Sequence, residues 1–96
     1  MRAAKVDANH ARIVDQLKSV LGPGTVLSMA RLGGGAPDIA VGWGGKTHFY
    51  EIKDPGKPRS ATRTTDDQET FRRSWPGHYA VVETAEQVLR NIGVKT

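Results

Sequence analysis

The sequence predicts an α/β fold: a mixed sheet flanked by helices, in the order α-β-β-β-α-β-α. Three observations carry this expectation. An apolar stripe at helical spacing comes first. Three short β-prone runs, divided by glycine-rich breaks, come next. Two further helical stretches then bracket a fourth β-prone run. The 96 residues are enough for one domain, 1–96, with one modest core and no room for a second.

Residues 1–6 read as a flexible basic tail. The first helix is expected from about Asp7 to Leu21, where Ile13, Val14, Leu17, Val20 and Leu21 form one stripe at a 3.6-residue period. Asp7 or Asn9 is placed to cap its start, and Gly22-Pro23-Gly24 stops it. Thr25 to Ala30 reads as a short edge strand, broken by Gly33-Gly34-Gly35. A second strand runs from Asp38 to Trp43 after Pro37. Gly44-Gly45 supplies hairpin chemistry, and a third strand runs from Lys46 to Lys53. The connection is too short for a crossover, so these strands pair antiparallel.

Residues 54–64 are rich in Pro, Gly, Lys and Arg and read as an exposed basic loop. Thr65-Asp66-Asp67-Gln68 has the spacing of a capping box, and the helix it opens runs to about Trp75, a residue expected in the core. His78 to Glu83 is the fourth strand. The last helix covers Thr84 to Asn91, with Val88, Leu89 and Ile92 facing inward.

Composition narrows the function classes. With no cysteine, disulfides, thiolate zinc sites and a cysteine nucleophile are excluded. No apolar run approaches the roughly 20 residues that span a bilayer, and the start lacks a signal-peptide core. A cytoplasmic protein of a bacterium or a phage-infected cell is therefore expected. A net charge of +4 favours a polyanionic partner, nucleic acid first.

One constellation carries chemistry. Pro37-Asp38 is followed by twelve residues and then Glu51-Ile52-Lys53. Side chains alternate along a strand, so Glu51 and Lys53 share a face. The hairpin returns them toward Asp38. Two carboxylates converging there suit a hard divalent cation, Mg²⁺ or Mn²⁺, with the Ile52 backbone carbonyl as a third ligand. Such an ion polarises a phosphodiester and acidifies water, and Lys53 is placed to orient that water or stabilise developing charge.

These residues resemble the PD-(D/E)XK nuclease superfamily, and most closely its stand-alone viral-type replication and repair nucleases (VRR-NUC), small phage and bacterial relatives of Holliday-junction resolvases. The matching residues are Gly33-Gly34-Gly35-Ala36-Pro37-Asp38, Glu51-Ile52-Lys53 and Gln68 in the next helix. The resemblance spans residues 7–92. It implies a restriction-endonuclease-like core and a Mg²⁺- or Mn²⁺-dependent endodeoxyribonuclease acting on DNA, with branched or junction DNA among its substrates. It also implies a homodimer, because one site cuts one strand. Gln68 would position the scissile phosphate or the water; the alternative is a plain capping-box partner of Thr65.

The sequence departs from the pattern at one position. Resolvase-like members place a Glu in the first helix ahead of paired apolar positions, and here His10 precedes Ile13 and Val14 at that spacing. His10 is then a tentative metal ligand, softer than a carboxylate, which favours one-metal chemistry. For DNA contacts the expectation rests on Gly34 and Gly35, whose backbone amides can approach phosphate, and on Lys57, Arg59 and Arg63 of the basic loop. Two competing functions are a non-catalytic nucleic-acid-binding module with a degenerate nuclease fold, and a small regulator whose basic surface meets an acidic protein.

Overall fold

The structure, a computed structural model, describes residues 8–56 and 66–95. The elements are α1 (Ala8–Leu21), β1 (Val26–Ser28), β2 (Ile39–Trp43), β3 (Lys46–Ile52), α2 (Asp66–Ser74), β4 (Tyr79–Val82) and α3 (Ala85–Asn91). The expected order is observed. The four strands form one mixed sheet, β1-β2-β3-β4. The first three pair antiparallel, and β4 runs parallel to β3 with Glu51 beside Val81. Among the described residues, no helix is long and apolar enough to cross a membrane.

Alternation along the strands divides the sheet into two unlike faces. Ile39 and Val41 of β2, Tyr50 and Ile52 of β3, and Val82 of β4 join the buried core. Ile13, Val14 and Leu17 of α1 and Val88 and Leu89 of α3 complete it. The Tyr50 hydroxyl donates to Asn91 Oδ1 at 2.6 Å, which satisfies the one polar atom this ring carries into the core. Burial alone pushes its pKa up to about 12.

The other face holds Asp38, Phe49, Glu51, Lys53 and Tyr79, and α2 lies over it through contacts of Phe49 with Trp75 and of Phe71 with Tyr79. No residue of α2 is buried. The hairpin between β2 and β3 turns on Gly44 and Gly45, both at positive φ (60° and 76°), the geometry of a primed turn that only glycine adopts without strain. At the start of α3, the Thr84 side chain accepts from Gln87 N.

Three expectations are corrected. Asn9 is not a cap: it lies inside α1, buried, and its amide donates to Lys53 O at 3.2 Å and Glu83 O at 3.5 Å. Val20 is 53% exposed, at the rim of the stripe, while Leu21 beside it packs against the core. Trp75 is not core. It is 39% exposed, and among the described residues α2 touches the sheet along one stripe with no residue of the helix buried. Asp7 and Thr65, named as caps, lie outside the described residues.

Candidate active site

Asp38 precedes β2 and is locked there by backbone bonds on both sides. Its N–H donates to Tyr50 O at 3.0 Å, and its carbonyl accepts from Met29 N at 2.7 Å. Its side chain then reaches across the hairpin, where Oδ2 accepts from Ile52 N at 2.7 Å. The Ile39–Tyr50 pairing puts Asp38 opposite Glu51, one step further along the register. The hairpin geometry thus brings the two carboxylates together, as the spacing predicted.

Glu51 is 2% exposed, an unusual burial for a carboxylate. Its Oε2 accepts from Gln68 Nε2 at 2.7 Å and lies 3.7 Å from Lys53 Nζ. Lys53 Nζ in turn donates to Gln68 Oε1 at 3.3 Å. Glu51 Oε1 is buried with no hydrogen-bond partner. Burial, and next the charge of Asp38, push the Glu51 carboxyl up to about 8, outweighing the opposing pull of Lys53 and Gln68. When protonated, Glu51 can donate to Asp38. When ionised, it faces the like charge of Asp38. Two carboxylates with water completing the shell are a donor set that a divalent cation can accept.

The structure therefore joins four sequence-predicted residues, Asp38, Glu51, Lys53 and Gln68, in one contiguous network. Gln68 has both ends of its amide engaged with Glu51 and Lys53. The Ile52 carbonyl belongs to the same strand end, between Glu51 and Lys53. His10 is buried on α1 with Nε2 3.3 Å from Ser28 Oγ. Among the described residues, no three His, Asp or Glu side chains gather closely enough to share a metal ion. The carboxylate pair stands without His10. Lys57, Arg59 and Arg63 lie outside the described residues.

The glycine run plays a part the sequence did not reveal. A Cβ on Gly35 would lie 2.2 Å from Asp67 O and 3.0 Å from Gln68 N, and its φ of +81° already disfavours any side chain. Gly35 is thus the point where the loop before Asp38 presses against the first turn of α2. That contact adjoins the backbone of Gln68, whose side chain meets Glu51. Gly34 has open space around it, which leaves its backbone accessible.

Two residues were missed. Asn9 fastens α1 to the carbonyls of Lys53 and Glu83, the ends of β3 and β4. Lys53 N also donates to Val82 O at 2.9 Å, so the backbone carrying the ammonium is held from two directions. The available signal was a polar residue four before Ile13, on the apolar side of the helix. Tyr79 buries its hydroxyl without a partner. Its pKa is pushed to about 12 by burial and then by Glu51 and Asp38, which puts the ring within reach of the same field. Nothing in the sequence distinguished it from an ordinary strand aromatic.

No protein-family model matches this chain, and no curated protein or solved structure matches it at a significant level.

Proposed function

We propose that this protein is a metal-dependent DNA endonuclease with a PD-(D/E)XK core. The observation that supports it most is the buried Glu51 carboxylate beside the half-buried Asp38, with Glu51 Oε1 lacking a hydrogen-bond partner while Lys53 and Gln68 hold the other oxygen. Two carboxylates brought together beside a buried site are costly, and a bound divalent cation would offset their repulsion.

Asp38 and Glu51 would hold a divalent cation, Mg²⁺ or Mn²⁺, with the Ile52 carbonyl as a further donor. When bound, that cation polarises a phosphodiester oxygen and lowers the pKa of a water. The chain's own residues do the rest. Lys53, a fixed positive charge held at the rim of the pair, offsets charge that develops on the phosphate during hydrolysis. Gln68 holds Lys53 and Glu51 in register and can exchange one of those bonds for one to the substrate. The net charge of +4 favours DNA as the phosphodiester. Symmetric cutting of a duplex or a junction requires two copies, so a homodimer is expected. Light scattering should give a mass about twice 10.4 kDa, and a stable 10.4 kDa particle would end that expectation.

The deciding experiment incubates the protein with supercoiled plasmid and a synthetic four-way junction in Mg²⁺, Mn²⁺ or EDTA, with Lys53→Ala as control. Metal-dependent cutting lost in the variant supports the endonuclease and reveals any preference for branches. Binding without cutting in every metal would replace it with a non-catalytic DNA-binding module.

A further inference from the structure

We propose that Gln68, on the first turn of α2, is a gate over the Asp38–Glu51 pair, closed in the free protein and released when a divalent cation enters. The inference rests on the cation-binding reading of that pair and adds how entry to it is controlled. Gln68 Nε2 donates to Glu51 Oε2 at 2.7 Å, and Gln68 Oε1 accepts from Lys53 Nζ at 3.3 Å. One side-chain amide thus engages both groups on which the chemistry depends. Access to the pair is closed as well: Glu51 is 2% exposed, and its Oε1 is shut off from solvent. Mg²⁺ sheds water reluctantly and keeps several waters when carboxylates bind it. Space for that shell beside Glu51 opens only when a neighbouring group withdraws.

The packing decides which group withdraws. Tyr50 and Ile52 anchor β3 in the closed core, and backbone bonds to Tyr50 and Met29 fix Asp38. Neither strand can give way without opening the core. By contrast, α2 has no buried residue. Its C-terminal end is clamped by aromatic packing. Phe71 lies 5.8 Å from Tyr79 and 5.3 Å from Trp75, Trp75 lies 5.1 Å from Phe49, and its Nε1 donates to His78 O at 3.1 Å. The contact of the first turn with β3 is polar, through the Gln68 amide. A helix clamped at one end and shallowly seated at the other opens locally at the shallow end. Opening breaks the two Gln68 bonds and in exchange lets water reach Glu51 Oε1, a buried acceptor with no partner in the closed form. These terms are of similar size, so the gate is poised near balance and a cation can tip it.

The test titrates Mg²⁺ alone, without DNA, by calorimetry into the wild-type protein, Gln68→Ala and Gln68→Met, with folding checked by melting curves. Gln68→Met keeps the length and helix propensity of the side chain and removes its amide. Because the closed gate competes with the cation, both variants should bind Mg²⁺ on the order of tenfold more tightly. Plasmid cutting should nevertheless fall, since the bond from Gln68 to the substrate is gone. In the wild type, the nuclear Overhauser contact between the Gln68 side-chain amide and Glu51 should vanish as Mg²⁺ saturates. Weaker or unchanged Mg²⁺ binding in the two variants would make Gln68 a brace for the pair and overturn the gate, as would a Gln68–Glu51 contact that survives saturation. Asp38→Asn, which should abolish binding, identifies the pair as the source of the heat. Binding that persists in Asp38→Asn, or no binding by any of the proteins, sinks the cation reading itself and the gate with it.

Discussion

The two faces of the sheet obey different rules. On the side of α1 and α3, β3 places Tyr50 and Ile52 in a closed apolar core whose one hydroxyl is satisfied. On the side of α2, the same strand places Phe49 and Glu51, with Lys53 just past its end, under a helix with no buried residue. One strand thus puts Tyr50 and Ile52 into the apolar core and turns Phe49 and Glu51 to the face under α2. The lesson is that a chain this small can afford a buried, poorly compensated carboxylate only because the opposite face carries the fold.

The sharpest way to break the comparison is to neutralise the chemical face alone. Asp38→Asn keeps an oxygen that can accept from Ile52 N and removes the charge. Cleavage of plasmid should fall on the order of 10³-fold while the melting temperature holds or rises. A melting loss as large as that of a core variant would mean the two faces are not separable.

The complementary variant, Leu17→Ala, strikes the fully buried centre of the other face. It should cost about 2–5 kcal/mol by denaturant unfolding, while cutting per folded molecule is unchanged.

A third prediction concerns pH. Glu51 has its pKa raised to about 8 in the fold, against an ordinary value of 4.5. Between those values the folded state holds the extra proton, so the stabilising share of Glu51 is complete below 4.5 and is lost as pH rises through about 8. Stability should therefore decline across that window, by at most about 1.4 kcal/mol per pH unit for one proton. Glu51→Gln should flatten the decline, and Mg²⁺ should raise the melting temperature more at pH 8 than at pH 5.5. A slope unchanged in Glu51→Gln would assign it to other groups.

The link between the faces is tested by Gly35→Ala. The added methyl meets Asp67 O, and α2, which buries nothing, is the element able to yield. Gln68 should be displaced, and cleavage should drop about tenfold for a stability cost of about 1–3 kcal/mol. The smallest effect belongs to Val20→Lys, at an exposed position of the nominal apolar stripe, which should change stability by less than about 0.5 kcal/mol.

Periodicity and turn chemistry, both local properties, determined much of this protein. The seven elements in order, the primed Gly44-Gly45 turn and the core side of α1 as far as Leu17 were all legible in the sequence. The meeting of Asp38 and Glu51 was legible too, since it follows from a hairpin whose register counts off residue by residue. Tertiary structure alone decided the rest. That Asn9 ties α1 to two strand ends, that Gly35 abuts Asp67, and that Trp75 stays half open are long-range contacts with no trace in local pattern. The physical reason is the same in each case: spacing states which face a residue takes, but only the packing of distant elements states whether anything covers that face.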